Sequence, residues 1–154
     1  MQHIQQYNGT EQELVKSVRP VFRHLVPLAL SRGILVAIVT FSPQTELIGE
    51  TLKLQFPDSH AQLVIRGNDS SWQYVGLGST AGKQAHMASA AHELAAKHGV
   101  DITRKSTLLI DDDVNNIRAA LKNKTPAVLF RPDDVASTIV DLQSIQINLR
   151  EFVS

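Results

Sequence analysis

Leu108-Leu109-Ile110-Asp111-Asp112-Asp113-Val114-Asn115-Asn116-Ile117 passes from apolar residues straight into three carboxylates, then into asparagines and a new apolar periodicity. A buried strand that ends in acids delivers them to the carboxyl end of a sheet, where they can hold a hard cation such as Mg²⁺ through oxygen ligands. A second reading of the same residues is local. Acids favour a helix N-terminus, and Asp113 is placed to cap a helix beginning near Val114. Three acids in a row exceed what capping needs. No earlier strand ends in a second acidic pair, which a cation site of this kind normally requires.

The elements around the triplet alternate. Residues 1–9 are polar and are expected to be a frayed tail, with a single domain over 10–154. Thr10-Glu11-Gln12-Glu13 fits a capping box, and a helical pattern with Leu14, Val18, Val21, Leu25 and Leu28 on one side runs to about Ser31. Pro20 and Pro27 should break or kink it. Gly33 opens Ile34-Leu35-Val36-Ala37-Ile38-Val39, apolar on both faces as in a parallel strand covered by helices. Ser42-Pro43 reads as an N-cap and first-position proline, ahead of a helix carrying Leu47, Ile48, Leu52 and Leu54. A short strand is expected over residues 61–66. A loop follows from Gly67 to Gly82, with room for a brief strand at 72–75. An Ala-rich helix spans Lys83 to His98 and closes at Gly99. A strand at 107–110, a helix at 114–123, a strand at 127–130 and a helix from Asp133 complete the series. This alternation implies α/β: a parallel sheet with helices on both faces and ligands at the carboxyl ends of its strands. Thr40, Ser42 and Asp111–Asp113 fall at those ends.

Composition narrows the function classes. In 154 residues, 43% are apolar and 19% charged, and fifteen Lys+Arg balance fifteen Asp+Glu. No basic field argues for nucleic acid, and no basic amphipathic face argues for a membrane surface. No apolar run approaches the ~18 residues of a membrane span, and the polar start is no signal peptide. With no cysteine there is no disulfide, thiol nucleophile or thiolate metal site. A cytoplasmic location is the expectation.

Three of these segments together resemble the haloacid dehalogenase (HAD) superfamily, whose commonest members are Mg²⁺-dependent phosphatases. Val36-Ala37-Ile38-Val39-Thr40 resembles its second motif, an apolar strand ending in Ser or Thr. Gly82-Lys83-Gln84-Ala85-His86 resembles the third, a lysine at or before a helix. Ile110-Asp111-Asp112-Asp113-Val114-Asn115-Asn116 resembles the fourth, two acids ending a strand and an Asn or Asp after three further residues. The resemblance covers roughly residues 10–135 and implies a three-layer α/β/α Rossmann-like sheet. It further implies that Thr40 and Lys83 bind the oxygens of a phosphoryl group, on which negative charge spreads during transfer. Asp112 would be the main Mg²⁺ ligand of this motif, Asp111 a direct or water-mediated second ligand, and Asn116 the residue orienting them. The substrate would be a small phosphomonoester.

The superfamily's first motif, an Asp-x-Asp giving the nucleophile and further metal ligands, has no match in residues 1–33. The only Asp-x-Asp is Asp111-Asp112-Asp113 itself, where Asn115 stands in place of Thr or Val and no second acidic strand follows. The expected sheet is therefore incomplete at its central first strand. The strand of the second motif and that of the fourth must then pair directly, leave a gap, or accept a strand from elsewhere. The favoured expectation is a carboxyl-terminal part of a longer polypeptide, inactive alone; a degenerate relative is second. The alternative is a non-catalytic module that dimerises or accepts a strand through the open sheet. The stretch between Thr40 and Asp111 is too short for a large cap domain.

Other signals are weaker. The triplet resembles the acidic pocket of response-regulator receivers, but those acids lie on a first strand and these come late. Gly76-Leu77-Gly78-Ser79-Thr80-Ala81-Gly82-Lys83 is not a P-loop, because Leu77 replaces its first Gly and Gln84 its Ser or Thr. It satisfies a loose Gly-x-Gly-x-x-Ala pattern, without the acid that a dinucleotide ribose needs. Thr40 also reads as a plain strand end, Ser42 competes with it, and Lys83 also reads as an exposed first-turn lysine. Lys105 lies at the wrong end of the acidic strand. His86, His92 and His98 are six apart on one helix and point in different directions. Met87 reads as core and Trp72 as a loop anchor.

Overall fold

A computed structural model describes residues 20–151. The capping box at Thr10–Glu13 and the expected tail lie outside the described residues. The elements are α1 (Pro20–Ser31), β1 (Ala37–Val39), α2 (Thr45–Gln55), β2 (Val64–Arg66), α3 (Gln84–His98), β3 (Leu109–Asp111), α4 (Val114–Lys122), β4 (Ala127–Leu129) and α5 (Val135–Glu151). Short 3₁₀ turns at His60–Gln62 and Arg104–Ser106 precede β2 and β3. The fold is mixed α/β with short parallel strands.

The strands form two separate parallel pairs. β1 pairs with β2 in the register Ala37↔Val64, Ile38↔Ile65, Val39↔Arg66. β3 pairs with β4 as Leu109↔Ala127, Ile110↔Val128, Asp111↔Leu129. Among the described residues β1 and β3 each carry a ladder on one side only. The chain also divides into two compact units, Met1–Gly78 with Ala85–Asp101, and Ser79–Gln84 with Ile102–Ser154.

In the first unit Val26, Leu52 and Phe56 form a buried cluster, with Phe22, Leu30, Val36, Ile38, Ile48, Leu63 and Ile65 packed against it. Those residues come from α1, α2, the two strands and the positions just flanking them, so each helix turns one apolar stripe inward. Pro27 is held inside α1. The helix expected from Ser42 starts at Thr45 instead, with Gln44 in the capping position. Ser42 has other partners: its hydroxyl accepts the Gln44 N–H at 3.1 Å, and its carbonyl accepts the Asn68 N–H at 3.0 Å. The chain cannot enter the helix while that carbonyl serves the loop after β2. The strand allowed at 72–75 does not form.

In the second unit α4 packs on β3 and β4, and α5 on β4. Leu109, Val128, Phe130, Ile117 and Ala120 are buried there. Asp113 caps α4 as expected, its Oδ1 accepting the Asn115 N–H at 2.8 Å. Asn123 closes the helix, Lys124 takes a left-handed φ of 60°, and the Thr125 N–H returns to the Ala120 carbonyl at 2.9 Å before β4 begins. Among the described residues no helix is long and apolar enough to cross a membrane.

Candidate functional site

Asp111 is the last residue of β3. Side chains alternate along a strand, so Asp111 shares the face of Leu109 and is buried like it. A carboxylate so placed must be paired, because desolvating an isolated charge costs far more than folding can recover. Three donors meet it. The Asp113 N–H donates to Oδ1 at 2.8 Å. The Asn116 side-chain amide, from the first turn of α4, donates to Oδ2 at 3.3 Å. Lys83 Nζ lies 2.6 Å from the same oxygen, with Lys83 15% exposed and Asp111 3% in their side chains. The strand end, the helix start and the segment before α3 thus converge on one carboxyl group.

The segment that brings Lys83 is shaped for close approach. Gly82 has φ +55°, and a Cβ there would meet Ala119 Cβ at 3.0 Å and Asn116 Oδ1 at 3.3 Å. A lysine just ahead of a helix N-terminus faces an unfavourable dipole. Its pairing with Asp111 accounts for its position without a ligand.

Three of the residues expected from sequence, Lys83, Asp111 and Asn116, are therefore brought together. Asp112 is exposed beside them, and Asp113 is turned to the helix cap. Lys105 sits at the other end of β3, in the Arg104–Ser106 turn. Among the described residues no group of three or more His, Cys, Asp or Glu side chains could hold a metal ion. Three side-chain oxygens of the triplet, both of Asp111 and Oδ1 of Asp113, are engaged by these donors, and Asp112 is the exposed residue of the three. These residues fit one side of a Mg²⁺ site, since Mg²⁺ keeps most of its waters and takes one or two carboxylates. They do not fit a closed one.

Thr40 belongs to the first unit, immediately after β1. Its N–H donates to the Arg66 carbonyl at 2.9 Å, and its Oγ1 accepts the Ser42 N–H at 3.1 Å, which makes a tight turn. The same unit holds groups that the sequence did not mark, Thr45, Asp69 and Ser71 among them. A Cβ on Gly67 would collide with the Ser42 carbonyl and the Thr45 methyl. Thr45 Oγ1 donates to Asp69 Oδ2, and the Ser71 hydroxyl and N–H donate to Asp69 Oδ1 at 2.6 and 3.1 Å. These bonds hold the Asp69 carboxyl below its ordinary value of 3.8, the Ser71 hydroxyl contributing most and Thr45 next. His86 is buried, hydrogen-bonded through Nε2 to Asn68 Oδ1 at 2.7 Å and met edge-on by Phe41 and Trp72. Trp72 Nε1 in turn donates to the Gly67 carbonyl at 2.7 Å, so the anchoring role expected of Trp72 is what it has. The partners of His86 lie 14 residues or more away, and no local spacing signals them.

Compared with known proteins, the chain matches no family model, no curated protein and no solved structure. The reading of the site rests on its own residues.

Proposed function

We propose that this chain is an HAD-like α/β module of a Mg²⁺-dependent phosphomonoester phosphatase, lacking the nucleophile and inactive alone. The observation that carries the reading is the convergence of Lys83, Asp111 and Asn116 at the carboxyl end of β3, with Asp112 exposed next to them. A buried lysine–carboxylate pair is costly to build and is not needed to end a strand or start a helix. It is a sensible feature where an ammonium must be aimed at an incoming phosphoryl group. Asp112 would hold Mg²⁺, with Asp111 and Asn116 behind it. The cation would neutralise charge on the substrate's phosphate. Lys83 would bind the phosphoryl oxygens. The three-layer Rossmann-like sheet belongs to this proposal too. With no Asp-x-Asp ahead of β1, the chain lacks the nucleophilic carboxylate of the superfamily's first motif.

Two measurements test this. Pure chain with Mg²⁺ and p-nitrophenyl phosphate should show no turnover; turnover abolished by Asp112→Asn in a folded protein would make the triplet catalytic and overturn the inactive reading. Titrating Mg²⁺ and inorganic phosphate should move the NMR signals of Asp112 and Lys83 respectively. Silence to both would remove the phosphatase reading.

The one-sided ladders of β1 and β3 favour a second reading, a non-catalytic module that binds a strand or a second copy through a sheet edge. Concentration-dependent dimerisation in size-exclusion chromatography would support it, and a monomer across the accessible range would oppose it.

A further inference from the structure

We propose that Gln84 and Thr125 act as a positioning pair that fixes the direction of the Lys83 ammonium. This deepens the reading of Lys83 as a phosphate-binding lysine and rests on it. A lysine side chain is long and freely rotating, so aiming it begins with fixing its backbone. The backbone is held on both sides of Lys83. Before it, Gly82 presses against Ala119 and Asn116 of α4 in a left-handed conformation that a side chain would strain. After it, Gln84 is 3% exposed, and its Oε1 accepts a hydrogen bond from Thr125 Oγ1 at 3.2 Å. Thr125 is 1% exposed and is itself tied to the end of α4 through its N–H.

Two features argue against a plain packing role. A residue that opens a helix is ordinarily half-solvated, and glutamine is no N-cap residue. A buried amide and hydroxyl also add little net stability over an apolar pair of the same shape, because both must first leave water. What the pair supplies is direction: a bond between residues 41 apart in sequence, fastening the segment that carries Lys83 to the turn leading into β4.

The test separates direction from stability. The full chain is labelled with ¹⁵N-lysine, and the Lys83 ammonium signal is identified by its loss in Lys83→Arg. Gln84→Met, Thr125→Val and the double variant remove the bond; the double variant strands neither of its two partners and guards against misfolding of the singles. Thr125→Ser keeps the hydroxyl. Hydrogen exchange of the Lys83 ammonium should speed up about tenfold in Thr125→Val and in the double variant, as expected for loss of one buried hydrogen bond. Thr125→Ser should exchange as the wild type does. A folded double variant or Thr125→Val with wild-type exchange at Lys83 would overturn the proposal. Inorganic phosphate added to the wild type reports separately. If Lys83 ignores phosphate but its exchange still depends on Thr125, the phosphate reading falls and the positioning pair stands.

Discussion

The carboxyl ends of the two strand pairs each close a short parallel ladder and solve the problem of a terminal carboxylate in opposite ways. After β2, Asp69 is gathered by hydroxyls, Thr45 and Ser71, in a loop stitched to the turn after β1. At the end of β3, Asp111 faces an ammonium and is closed from solvent. The first arrangement is what turns commonly do: short polar side chains satisfy backbone and one another, and nothing expensive is buried. The second takes two full charges out of water, and Coulomb attraction repays that only with good geometry and extra hydrogen bonds, which Asp113 and Asn116 provide. A buried pair of this kind at a strand end is where a functional reading has a physical basis, and the hydroxyl web is where it has little.

The difference is sharpest when each acid is removed. Asp111→Ala strands a largely buried lysine and should cost about 3–5 kcal/mol in urea unfolding. Lys83→Met with Asp111→Leu should recover most of that loss, since neither charge then remains. Asp69→Ala should be mild by comparison, because its partners can turn to water. If Asp69→Ala proves as damaging as Asp111→Ala, the contrast between the two ends is wrong.

Next in size are the two glycines that let each end close. Gly67→Ala drives a methyl into the Ser42 carbonyl and Thr45, and overpacking of this kind costs about 1–3 kcal/mol. Gly82→Ala combines a left-handed φ with contact on Ala119, and the conformation alone is worth about 1–2 kcal/mol. Thermal unfolding should therefore fall in both. The Lys83 ammonium signal should shift in Gly82→Ala and stay put in Gly67→Ala, so the pair of variants reports which glycine serves the ion pair.

The same contrast explains what could be read from sequence. The end of β3 was legible because apolar residues meet acids without transition, and because Asp113 followed by a helical periodicity specifies a cap. The order of the helix and strand series is legible for similar local reasons, although each strand is shorter than its expected span. Ser42-Pro43 misled because its local chemistry does suit a helix start. A long-range partner, the Asn68 amide, takes the Ser42 carbonyl and moves the start to Thr45. Lys83 and Asp111 were each singled out, one for phosphate and one for a cation, but nothing in their spacing said that they bind each other. Gln84 with Thr125, and Asn68 with His86, are of the same kind: the residues are visible, and their pairing exists only after the strands are assembled.

Asp113 offers a smaller and cleaner comparison. It caps α4 with Oδ1 while its own N–H serves Asp111. Asp113→Ala removes the cap and leaves that N–H in place. Loss of an N-cap costs about 1 kcal/mol, and the Lys83–Asp111 pair should survive, read from the Lys83 ammonium signal. Loss of that signal would mean that the cap and the ion pair are one network, and that the triplet cannot be divided into a helix device and a site.

The smallest effect belongs to Asp69 and concerns pH. Its carboxyl sits below its ordinary value, chiefly because the Ser71 and Thr45 hydroxyls bond the charged form. A carboxyl that ionises more readily in the folded chain binds fewer protons there than in the unfolded chain. Its stabilising contribution is thus complete well above the ordinary value of 3.8 and drains away as pH falls through the lower folded value. Asp69→Asn cannot titrate, so the gap in stability between wild type and variant should be constant near neutral pH and narrow below about pH 4. Unfolding midpoints measured from neutral to acid pH give that gap directly. A gap that widens on acidification would mean that the hydroxyl web prefers the protonated acid, and the two strand ends would then differ in the charge they stabilise as well as in how deeply they bury it.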